Sequence, residues 1–397
     1  MRLGKIWRAG AAISFGLGLG FLLLEILLRF VPTALPPEIH PQIAQKPWLL
    51  ASVGIPQFFA EYRLLWEEDD LVREHMKPGL DTVIHGNPEY PAWPIRTSSL
   101  GLGEAGYRDV LPPQKPFALV LGDSYGFGVG VRQEEVWMER LERETGLPFI
   151  NLSQVGASSL QEARIYSRDG RRLPVEVVIW MFFQNDMKEN LRFAQWLDPA
   201  ADIVQAARQP VQSCASLPHR ALKKYSLTYE LLIYWARYCQ YSAIPPTPVY
   251  RDEDLSLTFC LDHDICDPEV QARMLSDGWP LTRQAVYDTL ALVRQGGAEL
   301  VIVIVPSKEQ VYFRQFQAVA SLPPGYDIDD VDQLVAPMRA LCAGERLPCI
   351  DLTPAFREAA NTGPQLYFPV DIHWNAQGQA LVARVVGDYL RQAGLLP

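Results

Sequence analysis

A basic face is what this sequence most plainly lacks. Its 397 residues carry 36 Lys and Arg against 46 Asp and Glu, a net charge of −10. No basic stripe gathers anywhere, which argues against nucleic acid as a partner. Metal-ligand spacing is missing as well: none of the six cysteines stands at zinc spacing with a second Cys or His pair. The acidic stretch from Asp252 to Glu269 has no EF-hand loop pattern with its central Gly. The run Gly126–Gly130 lacks the Lys-Ser/Thr ending of a phosphate loop. Asn151-Leu152-Ser153 offers no acid where a dinucleotide-binding sheet wants one after its second strand. Internal repeats are absent. Neither a metal nor an organic cofactor is called for.

What is present begins with an address. Ala9 to Leu28 is apolar apart from Ser14 and Glu25, and a bilayer core takes roughly 20 such residues as a helix. Arg2, Lys5 and Arg8 precede the run, so the positive-inside rule leaves residues 30–397 outside the cytoplasm. A cleaved signal peptide is the rival reading. No small-x-small cleavage site follows, and the run ends in Glu25-Ile26-Leu27-Leu28-Arg29; an uncleaved single-pass anchor over 1–30 is expected. Residues 31–116 read as a proline-rich extension, with a helix over Glu61–His75. The chain holds 32 prolines, many of them in 31–60 and 78–116, and proline disfavours helix. Cysteines 214, 239, 260, 266, 342 and 349 make an even count, which fits an oxidising compartment. Cys342 with Cys349 is the first pair to expect.

With 48% apolar residues a large core is possible. From 117 onward, short apolar runs alternate with helical patterns. Five runs read as buried parallel strands: Phe117–Leu121, Pro148–Leu152, Val177–Phe183, Glu299–Val305 and Cys349–Leu352. Helices are expected over Glu134–Glu144, Ser158–Arg168, Thr282–Gln295 and Asp330–Leu341, with a last one capped by Asn375. This alternation predicts an α/β fold with a five-stranded parallel sheet, its ligand crevice beyond the carboxyl ends of the strands. The domain spans 117–397. Residues 188–281 interrupt it as an insertion that caps the site and carries an aromatic-rich helix near Tyr225–Tyr238.

Chemistry gathers at the strand ends. Leu121-Gly122-Asp123-Ser124-Tyr125-Gly126 follows the first strand, placing Ser124 at a strand-to-helix turn. A serine hydroxyl needs a base. Of six histidines, His373 stands out, in Pro369-Val370-Asp371-Ile372-His373-Trp374-Asn375, after the last strand and just before the last helix. Asp371 is placed to orient it. The second strand runs on to Gly156 and the third to Gln184-Asn185-Asp186. With the N–H of Ser124, the N–H of Gly156 and the amide of Asn185 supply three oxyanion donors.

Gly-Asp-Ser at 122–124, Gly156, Asn185-Asp186 and Asp371/His373 resemble, in order, the four blocks of the SGNH hydrolase (GDSL-like lipase/esterase) superfamily. Phe183 stands where that family usually has glycine, and Asp-x-His replaces its frequent Asp-x-x-His. The shorter spacing resembles alginate O-acetylation proteins. The resemblance implies a flavodoxin-like three-layer αβα sandwich, Ser124 as nucleophile, His373 as base, and Gly156 and Asn185 as oxyanion donors. It implies cleavage or transfer of an ester-linked acyl group, acetyl above all, on an envelope carbohydrate or lipid, and a membrane-bound acyltransferase as partner. The alternative is a non-catalytic, membrane-tethered carbohydrate-binding or scaffold subunit.

Overall fold

The structure, a computed structural model, describes residues 16–29, 65–198, 226–232, 248–261 and 266–396, less positions 17, 86, 88, 91, 111, 113, 230 and 323. The chain divides into two compact units. One holds residues 65–83, 87–207 and 245–397, the other 1–64, 84–86 and 208–244.

The larger unit is built on the expected sheet. Its strands are β1 (Ala118–Leu121), β2 (Phe149–Asn151), β3 (Val177–Phe183), β4 (Glu299–Val305) and β5 (Cys349–Asp351). They pair in parallel in the order β5-β4-β3-β1-β2. Every residue of β3 is buried, which is why it reads as an unbroken apolar run rather than an alternating one. β2 and β3 flank β1 on opposite sides, so successive connections diverge at its carboxyl end and leave a crevice there.

The connecting helices are α1 (Ser124–Phe127), α2 (Trp137–Thr145), α3 (Ser159–Arg168), α4 (Asp186–Leu197), α5 (Trp279–Gln295), α6 (Lys308–Val311), α7 (Ala336–Glu345), α8 (Thr353–Thr362) and α9 (Ala376–Gln392). Helices α3, α4 and α5 pack together, and α2 packs on α9. Asn375 caps α9 as expected, its side chain accepting from the N–H groups of Gln377 and Gly378.

Three expectations need correction. Part of the Glu61–His75 stretch is not helical: Trp66–Asp69 and Arg73–Met76 form an antiparallel hairpin. The Asp69 carboxylate accepts from the N–H of Leu71 (2.7 Å) and Val72 (3.0 Å), an Asx-type turn that competes with helix. The helix over Asp330–Leu341 is two, Ile328–Asp332 and α7, because Pro337 in the first turn of α7 has no N–H to carry the helix through. Cys342 and Cys349 are free thiols joined by a hydrogen bond. The disulfide among the described residues is Cys260–Cys266.

In the smaller unit, residues 18–29 are helical. No helix among the described residues is long and apolar enough to cross a membrane. Arg2, Lys5, Arg8 and the start of the apolar run lie outside the described residues, as do Cys214, Cys239 and most of the insertion between 199 and 247. Glu25, the one charge inside the run, is put to use. Its carboxylate accepts from Leu227 N–H (3.1 Å), Thr228 N–H (2.9 Å) and the Ser226 hydroxyl (2.8 Å), and pairs with Arg29 (3.0 Å). It thereby caps the short helical stretch that starts there.

Candidate active site

Ser124 opens α1 three residues beyond Leu121, the end of β1. Asp123 caps that turn, its carboxylate accepting from Tyr125 N–H at 2.9 Å and, at 3.4 Å, from the Ser124 hydroxyl. Neighbouring strand ends hold the turn. Gln154 N–H donates to Gly122 O (3.0 Å), and the Asn151 amide donates to Gly126 O (2.9 Å). Gly126 is required by space: a Cβ there would lie 2.3 Å from Ser153 Oγ. Gly156 is required by conformation instead, with φ +74 and nothing within 4 Å of an added Cβ.

Asn185 stands just before α4, after the end of β3, without a side-chain capping bond. Its side chain donates to the Asp123 carboxylate, which burial pushes up to about 6 against that bond and the charge of His373. Behind it, Asp186 is fully buried and accepts from the Ser159 hydroxyl at 3.1 Å; burial also raises its carboxyl. Gly156 and Asn185 border an open cleft of about 400 Å³, lined also by Arg73, Glu74, Glu189, Arg192 and Phe193.

His373 stands on a loop closed by an isolated bridge between Tyr367 and Trp374. Asp371 Oδ1 lies 2.5 Å from His373 Nδ1 and also accepts the His373 backbone N–H at 2.9 Å. The Asp-x-His spacing thus lets one carboxylate oxygen grip both the ring and the main chain of the histidine. Asp371 Oδ2 accepts from the Tyr90 hydroxyl at 2.8 Å. Burial would raise the Asp371 carboxyl, but the charge and hydrogen bonds of His373, with Tyr90, hold it well below the usual carboxylate range. The other ring nitrogen, Nε2, is buried with no hydrogen-bond partner.

The two loops meet through Tyr125. Its ring packs on those of His373 (centroids 5.1 Å) and Trp374 (4.7 Å), and its hydroxyl donates to Ile372 O at 2.7 Å. Ser124 and His373 therefore share one neighbourhood without a hydrogen bond between them. The Ser124 hydroxyl is turned to Asp123, and a side-chain rotation would free it. In serine hydrolases generally, the contact between nucleophile and base is often loose before substrate binds.

Sequence reasoning missed the braces. Arg108 is fully buried and donates to the carbonyls of Phe127 (3.0 Å), Gly128 and Val131 (2.6 Å), pinning the chain that follows α1. Asp109 accepts Asn151 N–H at 2.7 Å. Nothing in the segment Gly106-Tyr107-Arg108-Asp109 announces in sequence which carbonyls it will collect. Lys308, Glu89 and Tyr90 gave no signal of their own.

Residues 271–396 match the family described as SGNH hydrolase-like domain, acetyltransferase AlgX. That match bears out the resemblance read from the four blocks, including the likeness to alginate O-acetylation proteins. It takes in Lys308, Asp371 and His373, while Ser124, Gly156 and Asn185 lie outside it. No curated protein matches. Among solved structures, the chain is similar to a GDSL-like lipase from Bacteroides thetaiotaomicron VPI-5482 (10% identity, 70% of this chain and 89% of that chain, TM-score 0.34). It is also similar to the acetyl xylan esterase AlAXEase (11%, 70% and 99%, 0.34). A third is the psychrotrophic esterase EstA from Pseudoalteromonas sp. (12%, 70% and 97%, 0.34). At such TM-scores these likenesses carry no argument about the site.

Proposed function

We propose that this chain is a serine-dependent esterase or acyltransferase that cleaves or transfers an ester-linked acyl group, acetyl above all. His373 Nε2 takes the Ser124 proton as Ser124 Oγ attacks the ester carbonyl. The resulting oxyanion is held by the N–H groups of Ser124 and Gly156 and by the amide hydrogen of Asn185 that Asp123 leaves free. His373 then protonates the leaving alcohol. Water releases the acyl group by hydrolysis, and a sugar hydroxyl takes it by transfer. The observation that carries this reading is the bond from His373 Nδ1 to Asp371, which fixes the proton on Nδ1 and leaves Nε2 as a buried acceptor with no partner.

The cleft that Gly156 and Asn185 border, which Ser124 and His373 do not line, suits carbohydrate better than a long alkyl chain. Arg73, Glu74, Glu189 and Arg192 line it with Phe193 as its one aromatic, a lining for hydroxyl-rich ligands. In this reading the sheet and its helices make the flavodoxin-like three-layer sandwich of the superfamily, capped by the insertion. The apolar run behind Arg2, Lys5 and Arg8 anchors it, with the domain outside the cytoplasm. The Cys260–Cys266 disulfide supports an oxidising compartment. A membrane-bound acyltransferase supplies the acyl group. The test is Ser124→Ala in the full chain on p-nitrophenyl acetate. Turnover is expected to fall by at least ~10³-fold; undiminished turnover rejects the assignment.

A further inference from the structure

Lys308 takes no part in the steps above, yet its burial has a cost that something must offset. It follows the end of β4, on the same edge of the sheet as Ser124, and its residue is 2% exposed. Its ammonium faces four successive carbonyls: Phe368 (2.8 Å), Pro369 (3.2 Å), Val370 (3.3 Å) and Asp371 (2.8 Å). Burial lowers its pKa to about 8, opposed by the charges of Glu309, Asp371 and Glu89.

Four carbonyl dipoles aimed at one point repel each other unless a cation sits there. The N–H groups of the same segment are gathered by an anion. Glu89 accepts from Val370 N–H at 2.6 Å and Asp371 N–H at 2.7 Å. Thr258 N–H also donates to Pro369 O at 2.8 Å. Residues 368–371 are thus clamped, their carbonyls on one cation and two of their N–H groups on one carboxylate. The segment leads directly into Asp371 and His373.

We propose that Lys308 is a positioning residue for the proposed reaction: its ammonium, opposed by Glu89, sets the loop so that Asp371 meets His373 Nδ1 and Nε2 is aimed into the site. This rests on the Ser124–His373 reading. Without the ammonium the carbonyls turn away from one another, Asp371 shifts, and the imidazole loses its fixed orientation. A misplacement on the order of 1 Å at such a site can cost about 100-fold in rate.

The experiment compares Lys308→Met, Glu89→Gln and Ser124→Ala in the full chain. It measures kcat and KM on p-nitrophenyl acetate, cooperativity of thermal unfolding, and the downfield proton resonance of His373 Nδ1–H, identified by its loss in His373→Gln. Lys308→Met is expected to fold, to lose about 100-fold in kcat at unchanged KM, and to lose or broaden the downfield proton. Glu89→Gln is expected to follow in the same direction by about 10-fold, since it weakens charge-assisted bonds to the segment. Wild-type kcat in Lys308→Met overturns the proposal, and so does a lost kcat with the downfield proton intact. If Lys308→Met does not fold, Glu89→Gln decides, and unchanged kcat and resonance there overturn it. Turnover surviving in Ser124→Ala sinks the reaction assignment instead, so the two failures are told apart.

Discussion

The half of the site that carries Ser124 hangs on the sheet, whereas the half that carries His373 hangs on side chains. Ser124 stands three residues beyond Leu121, the last residue of β1, and its turn is bonded to neighbouring strand ends through Gln154 and Asn151. His373 lies well past β5, on a loop held by Lys308, Glu89, Tyr90 and Tyr125. The two halves share one device, a buried cation collecting main-chain carbonyls: Arg108 behind the serine turn and Lys308 under the histidine loop. On the serine side that cation supplements a frame the strands already set. On the histidine side it is a principal part of the frame. Substitutions far from the site should therefore reach His373, the proposed base, more readily than Ser124, the proposed nucleophile.

The largest test of this difference is Asp371→Asn. It keeps the size of the side chain but removes the carboxylate that fixes the His373 tautomer, and turnover should fall on the order of 10³–10⁴-fold. Melting temperature should change far less, because the loop keeps its grip on Lys308. A loss of less than 10-fold, measured as kcat/KM on p-nitrophenyl acetate, would mean that another group orients the ring. On the serine side, Gly126→Ala should act through stability. Its Cβ would lie 2.3 Å from Ser153 Oγ, and overpacking of this kind typically costs about 1–3 kcal/mol. Denaturant unfolding checks it, and a variant as stable as the parent would show that the turn yields more easily than the sheet-borne frame allows.

The smallest expected effect concerns pH. Asp123 is pushed up to about 6 from 3.8, so within that window the folded protein holds a proton that the unfolded chain has released. Its contribution to stability is present at the acid end and is lost as pH rises through about 6. Asp123→Asn keeps an acceptor for Tyr125 N–H and removes the titration. Its melting temperature should decline less between pH 4 and 7 than that of the parent. Parallel curves would remove Asp123 from the account. Asp371 has the opposite sign: its depressed carboxyl supports folding above its ordinary range and loses that support in stronger acid.

The same contrast explains what could be read from the chain alone. Parallel strands covered on both faces announce themselves as apolar runs, so β1 to β5 were legible, and with them the places of Ser124, Gly156 and Asn185 at strand ends. Asp371 and His373 were legible as a pair because they stand two apart beside the Asn375 cap. Lys308, Glu89 and Arg108 were not, since a charged side chain in a sequence reads as solvated until the main-chain groups it will meet are brought to it, carbonyls for the two cations and N–H groups for Glu89, from up to about 280 positions away, as with Glu89 and Asp371. The hairpin at 66–76 was misread for a related reason. Its turn is made by one carboxylate, Asp69, competing locally for main-chain N–H groups, and the surrounding charges carry no period-two signal.

The proposed chemistry turns on His373 Nε2 serving the Ser124 hydroxyl. The most direct measurement is covalent labelling of the full chain with a fluorophosphonate, followed by peptide mapping of the modified residue in the parent and in His373→Gln. A label on Ser124 is expected in the parent and essentially none in the variant. A label on a different residue, or equal labelling of Ser124 without the histidine, would contradict it.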